Sequence, residues 1–216
     1  MKLLDRQCEQ LGIALFDICF PYSGKPELAL LSKYRNDGFL GASCEGGAIL
    51  TLIKSCMLDG LARYNSFGDR DDAVNRYLEA QMTILSDKKE ELIDIISHVP
   101  ENTIFDNYDE IISSPFIQSI YPTLSRELGM AMFYAIGREK ISEIAAAFSA
   151  DPYQYRSGWP DLTLVYENCI EFVEVKTTDN LHKTQLTTIP MILQILPGTV
   201  SVCRLKNRTA AEIVKQ

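Results

Sequence analysis

The chain has 216 residues, a formal net charge of −8, 46% apolar residues and 23% charged residues. That composition is ordinary for one globular domain with a substantial core, and it excludes a broadly basic nucleic-acid-binding surface. The acid excess lies in residues 1–150, with 14 basic against 22 acidic residues, whereas residues 151–216 carry seven of each. Any contact with nucleic acid must therefore be a local groove. No apolar run has the length of a membrane span, and Met1-Lys2-Leu3-Leu4-Asp5 lacks the apolar stretch of a signal peptide. The six cysteines (8, 19, 44, 56, 169 and 203) are scattered, without a CxxC and with two histidines. This argues against zinc and for thiols in a reducing compartment.

Residues 1–44 read as mixed, broken by Pro21, Gly24, Pro26, Gly38 and Gly41. Residues 45–64 predict a buried helix, because apolar positions 48, 49, 50, 52, 53, 56, 57 and 58 cover most of its circumference. Residues 70–97 have helical spacing, as two helices meeting near Ser86, and Pro100 closes them; His98 reads as a helix-end residue. Residues 107–148 are helical again, interrupted by Pro115 and Pro122. There is no internal repeat, low-complexity tract or flexible linker.

The last third differs in kind. Leu162, Leu164 and Tyr166 alternate with Thr163 and Val165, and Cys169-Ile170-Glu171-Phe172-Val173-Glu174-Val175-Lys176 has a period of two as well. The two runs predict a β-hairpin turning at Glu167-Asn168. In that register the numbers of paired residues sum to 335, which puts Asp161 opposite Glu174. Their Cβ atoms would lie roughly 5 Å apart, with Lys176 on the same face. Two carboxylates so placed repel, and burial makes this worse. A divalent cation between them reverses the sign, and hard oxygen ligands suit Mg²⁺ or Mn²⁺. A lysine beside the cation can orient a water or stabilise charge developing on a phosphate. The same spacing also fits a solvated strand face carrying alternating charges.

The stretches R-S-G-W-P-D-L-T-L-V-Y (156–166) and F-V-E-V-K-T-T-D-N-L-H-K-T-Q (172–185) resemble the VRR-Nuc branch of the PD-(D/E)xK nucleases. In that family a G-x-P-D-L strand precedes an E-V-K strand and a D-x-L-x-x-x-Q helix start. Arg156, Gly158, Pro160, Asp161, Leu162, Glu174, Val175, Lys176, Asp179, Leu181 and Gln185 all fit. Upstream, Cys44-Glu45-Gly46-Gly47 and the helix after it resemble the G-E-G-G helix of the Fanconi-associated nuclease, whose glutamate belongs to the metal site. Residues 127–148 are similar to the helix pair that precedes its G-x-P-D strand. The resemblance covers about residues 40–206. The chain departs from the family at Ser157, where a glycine is usual, in a loop after Lys176 shorter by one residue, and at Pro190, expected to interrupt the helix after Gln185. Nothing in it resembles that enzyme's SAP or helical-repeat domains.

The resemblance implies a restriction-endonuclease-like α/β core, αβββαβ in outline. Strands lie near 162–167, 169–176 and 199–205, a helix at 181–195, a second helix at 45–64 supplying Glu45, and a helical insertion at 65–150. It implies metal-dependent hydrolysis of DNA phosphodiesters, selective for flaps or junctions in repair. Glu45, Asp161, Glu174 and the Val175 carbonyl would hold one or two Mg²⁺ or Mn²⁺ ions. Lys176 would position the attacking water, and Gln185 would orient Lys176 or a ligand. Interbacterial toxins of the same family imply a second reading, in which the partner is an immunity protein. A third is a DNA-binding module with a dead site, against which the intact Asp161, Glu174 and Lys176 speak. The expected location is cytoplasmic, or the cytoplasm of a target cell for a delivered toxin.

Read without the family, Glu45 is a helix N-terminal carboxylate, Asp179 a cap for the helix near Leu181, and Gln185 either a site residue or a cap-region hydrogen bonder. His182 reads as exposed or DNA-facing, and Trp159 as a core residue in preference to one stacking on a base. Lys183, Arg204, Lys206 and Arg208 are the basic candidates for phosphate contacts, or members of a solvated face.

Overall fold

The computed structural model describes residues 2–66 and 68–207. The first 43 residues, mixed on sequence, form α1 (Leu3–Leu11), β1 (Ala14–Phe20), α2 (Pro26–Asn36) and β2 (Leu40–Ser43). The helical body follows as α3 (Gly47–Tyr64), α4 (Arg70–Asn75), α5 (Leu78–Ile84), a 3₁₀ turn (Ser86–Lys88), α6 (Lys89–His98), α7 (Glu101–Ser113), α8 (Pro115–Ile120), α9 (Arg126–Ile136), α10 (Arg138–Ala150) and α11 (Pro152–Tyr155). The last described elements are β3 (Leu162–Tyr166), β4 (Cys169–Lys176), α12 (Lys183–Ile195) and β5 (Thr199–Asn207).

Five strands among the described residues form one mixed sheet in the order β1-β5-β4-β3-β2, and α2, β2, β3, β4, α12 and β5 give the expected outline αβββαβ, with α1 and β1 added before it. β5 lies between β1 and β4 and is parallel to both, while β4–β3 and β3–β2 are antiparallel. The early strands escaped the sequence reading for physical reasons. β1 is an edge strand with no buried residue, and β2 has four residues, one of them a glycine. β2 is too short to alternate, and the alternation that β1 has, half-buried Phe16, Ile18 and Phe20 between exposed Asp17 and Cys19, spans five residues just before the breakers at 21, 24 and 26.

The hairpin has the predicted register, from Leu162 opposite Val173 to Tyr166 opposite Cys169. Glu167 and Asn168 both have positive φ, 47° and 62°, as a two-residue turn matching strand twist requires. Both sheet faces are covered. On one, Leu30 and Leu31 of α2 pack on Leu162, Leu164, Val173 and Val175. On the other, Val165, Ile170 and Phe172 join the core of the helical body. Alternation along β4 therefore aims Glu174 and Lys176 at the helical side. α3 is buried at 14 of its 18 positions, which explains its nearly all-round apolar sequence. Pro190 does not interrupt α12, which runs from 183 to 195. The carbonyl left without an N–H partner belongs to exposed Leu186, where water can serve it.

Candidate active site

Asp161, Glu174, Val175, Lys176, Gln185 and Glu45 line one cleft of about 380 Å³. Asp161 leads into β3. Its Oδ2 accepts the Val175 N–H at 2.8 Å, a bond that ties the strand start to its neighbour. Glu174 is 2% exposed, and its Oε1 accepts from Lys176 Nζ at 2.8 Å and from Gln185 Nε2 at 2.6 Å. Its other oxygen, Oε2, is buried without a hydrogen-bond partner. Lys176, 3% exposed, reaches Asp179 Oδ2 at 3.1 Å as well.

The electrostatics follow from burial and proximity. Burial, then the neighbouring Glu174, push the Asp161 carboxyl up to about 7. Burial also raises Glu174, against the opposing pull of Lys176 and Gln185. For Lys176, burial alone would pull the ammonium down, but Glu174 and then Asp179 outweigh it and hold it above the usual range. The cleft therefore holds two carboxyls that resist ionising together beside a firmly protonated ammonium.

These residues fit a hard divalent cation. A cation at the Asp161–Glu174 pair would cancel the repulsion and give the orphaned Glu174 Oε2 the partner it lacks. Among the described residues no three His, Cys, Asp or Glu side chains converge as a ready-made cage. The carboxylates that come together are a pair, with exposed Glu45 elsewhere on the same cleft wall.

Glu45 sits in the turn before α3, whose N-cap is Gly46, and not in the helix itself. Its φ of 48° is left-handed, an uncommon conformation for a glutamate and one that clusters at functional sites. The two glycines after it are required by contact. A Cβ on Gly46 would lie 2.5 Å from the Trp159 ring, and one on Gly47 would lie 2.7 Å from Tyr121. Trp159 is a core residue, 2% exposed, with Nε1 donating to the Tyr155 carbonyl at 2.7 Å. Gly158 is fixed for the same kind of reason. Its φ is 83°, and a Cβ would lie 2.3 Å from the Thr184 carbonyl oxygen. The glycine lets the first turn of α12 press against the Asp161 loop.

α12 starts at Lys183 rather than 181, with His182 as its N-cap. Asp179 is therefore no cap, and it pairs with Lys176 instead. Gln185 bonds in two directions. Its Oε1 accepts the His182 N–H at 2.9 Å while its Nε2 holds Glu174. His182 is exposed on the cleft rim.

The basic candidates are mostly committed elsewhere. Arg204 pairs with Asp5 at 2.7 Å and Asp17 at 3.3 Å, and Lys206 pairs with Asp17. Lys183 is exposed and does not line the cleft. Arg208 lies outside the described residues. Two other cations sit nearer the site, each with a looser carboxylate neighbour, Arg156 with Glu79 at 3.6 Å and Lys25 with Glu27 at 4.0 Å. Lys25 and Arg156 line a second hollow of about 350 Å³ that shares Glu45 and Asp161 with the cleft. Lys25 follows a loop glycine before a helix, a context that carries no signal in sequence.

No protein-family model matches the chain, and no curated protein matches it in sequence. Its structure does find counterparts. A crystal structure of paFAN1 bound to 2-nt 5′-flap DNA with a gap superposes with a TM-score of 0.64 at 18% identity, covering 93% of this chain and 41% of that one. A second, of paFAN1 bound to 1-nt 5′-flap DNA with a gap, gives 0.60 at 18% identity over 94% and 42%. The chain shares the fold of the matching part of paFAN1. It spans about two fifths of the length of paFAN1. The mixed five-stranded sheet with flanking helices is thus of the restriction-endonuclease-like class.

Proposed function

We propose that the chain is a divalent-metal-dependent deoxyribonuclease that hydrolyses phosphodiester bonds, with DNA carrying a 5′ flap as its preferred substrate. The observation that carries this reading is the pairing of half-buried Asp161, at the start of β3, with buried Glu174 on β4, with Lys176 between Glu174 and Asp179 and one Glu174 oxygen left unpartnered. No packing benefit explains two like charges held side by side with one of them buried. The flap preference is supported by the FAN1-like fold together with the flap DNA in the matched paFAN1 structures.

Asp161, Glu174, the Val175 carbonyl and Glu45 would hold one or two Mg²⁺ or Mn²⁺ ions. Bound there, such an ion supplies Lewis-acid stabilisation of the phosphate and a more acidic water. The protein's own groups set up the rest. Lys176 is held protonated, so it acts as a hydrogen-bond donor and fixed positive charge toward the attacking water and the phosphate, not as a base. Gln185 keeps Glu174 from rotating by gripping Oε1. The Val175 N–H does the same for Asp161. Lys25 and Arg156, in the adjoining hollow, are the cations placed to receive a neighbouring phosphate.

The test is cleavage of labelled DNA by the purified chain with Mg²⁺ or Mn²⁺ and with EDTA, on a 5′-flap substrate and on plain duplex. Flap DNA should be cut faster, and EDTA should stop both reactions. Undiminished cleavage in EDTA would remove the basis of the scheme. Equal rates on both substrates would remove only the flap preference.

A further inference from the structure

The segment 177–182, between β4 and α12, has no regular hydrogen bonding of its own, yet it places two groups of the cleft. Asp179 reaches back to Lys176, and the turn it makes into α12 aims Gln185 at Glu174. A loop of this kind should be mobile unless something outside it holds its main chain.

Gln7 is that holder. It lies on α1, 8% exposed, and its side-chain amide makes both bonds to one residue of the loop. Oε1 accepts the Leu181 N–H at 3.0 Å, and Nε2 donates to the Leu181 carbonyl at 3.1 Å. The pairing resembles a rung of a β-ladder in which one partner is a side chain. Reversing the amide would set donor against donor and carbonyl against carbonyl, so the network fixes its orientation. Two bonds in fixed directions restrain both position and rotation of the Leu181 peptide groups, which a single bond would not. Leu181 itself is 5% exposed, so water cannot replace the amide there.

α1 is in turn braced against the sheet. Leu4 and Cys8 are in the main core, and Asp5 holds Arg204 at 2.7 Å. Arg204 is the ladder partner of Lys176 on β5. The same short helix thus grips the strand beside Lys176 with one side chain and the loop after Lys176 with another.

We propose that Gln7 is a positioning residue of the cleft, whose amide clamps Leu181 so that Asp179 and Gln185 keep Lys176 and Glu174 in place. The consequence for turnover rests on the nuclease reading; the clamp itself does not. Buried amides often contribute only to stability, and the experiment separates the two roles.

Gln7→Ala and Gln7→Glu, made in the full chain, are compared with wild type by NMR hydrogen exchange and by Mn²⁺-dependent flap cleavage. In Gln7→Ala the Leu181 N–H and the Gln185 side-chain amide protons should exchange much faster. The Leu196 N–H, bonded to the Ile192 carbonyl farther along α12, should keep its wild-type rate. kcat should fall about tenfold, the lower end of what losing an outer supporting contact costs, with KM unchanged. Gln7→Glu keeps an acceptor for Leu181 N–H, so it should restore part of the protection and part of kcat. Uniform faster exchange at Leu181, Leu196 and the β4 amides would make Gln7 a stability residue and overturn the proposal. So would a folded Gln7→Ala with normal Leu181 exchange, or with loosened Leu181 and wild-type kcat. A wild-type chain that cuts nothing would overturn the nuclease reading instead, and the exchange arm would still decide the clamp.

Discussion

Lys54 in the helical body and Lys176 in the sheet are 4% and 3% exposed, so both ammonium groups have left water almost completely. Their fates differ. Lys54 donates to two main-chain carbonyls, Val74 at 2.5 Å and Arg76 at 2.8 Å, and burial pulls it down to about 7. Asp72 and Glu79 pull the other way without winning. Lys176 is subject to the same desolvation, but a buried carboxylate at 2.8 Å and a second at 3.1 Å hold it above the usual lysine range. Carbonyl dipoles satisfy hydrogen bonds but do not neutralise a charge, whereas carboxylates do both. Burial alone therefore marks neither lysine as functional. What distinguishes Lys176 is that its buried partner Glu174 is itself pushed up, beside an Asp161 pushed up in turn, whereas Asp179 is lowered.

The comparison can be broken most severely at Lys176. On the nuclease reading, Lys176→Ala should lower cleavage by about 1,000-fold, within the range for losing a positioned proton-handling or charge-stabilising group. Mn²⁺ should still bind, as calorimetry can show. Normal cleavage would make Lys176 a second Lys54, buried for packing only.

Glu174→Gln should come next. It keeps size and removes the charge that repels Asp161, so the thermal midpoint should hold or rise. Cleavage should fall at least about 100-fold. Lys176 would then lean on Asp179 alone, and its ammonium signal in a ¹⁵N-NMR titration should disappear at lower pH than in wild type. An unfolded Glu174→Gln protein would show the pair to be structural.

Lys54 offers a prediction in stability rather than rate. Its folded-state value is depressed below that of the unfolded chain, from 10.5 to about 7. Between those two values the unfolded chain holds a proton that the folded one has lost. The Lys54 contribution to stability should therefore rise as pH climbs from about 7 to about 10, and it should be absent below 7. Lys54→Met should flatten that rise, by an amount on the order of 4 kcal/mol. Denaturant unfolding of both proteins at pH 7 and pH 10 reads this directly. Taking their difference cancels the buried cysteines, whose raised values act in the opposite direction. Parallel curves would show that Lys54 keeps its proton.

The smallest effect is expected at Asp179, which is half-exposed and so only weakly coupled to Lys176. Asp179→Asn should slow cleavage by only about threefold to tenfold, with little change in the Lys176 titration. A loss as large as that of Glu174→Gln would place Asp179 in the site proper.

Much of this was legible in the chain. The hairpin register follows from a two-residue turn and a period of two, because side chains on opposing strands can meet in only one way once the turn is set. Asp161, Glu174 and Lys176 were therefore brought together on paper as they are in the fold. Their family pattern carried Glu45 and Gln185 into the same cleft. The glycines of that pattern were legible as letters but not as causes. Only packing shows that Gly46 makes way for Trp159, Gly47 for Tyr121 and Gly158 for the Thr184 carbonyl.

Other features were decided in three dimensions alone. β2, four residues long, is a strand because β3 offers it a partner, and the short alternation of Phe16, Ile18 and Phe20 in β1 becomes a half-buried face only where β5 pairs with it. Arg204 and Lys206 looked like phosphate contacts until the fold set Asp5 and Asp17 against them. Gln7 is a polar residue in a polar helix, 174 positions from the loop it holds. Local sequence can specify register and residue chemistry, since both act between near neighbours. Which charges are neutralised, which backbone groups are clamped and which lysine stays protonated depend on distances between segments far apart in the chain. Those distances exist only once the sheet has closed on its helices.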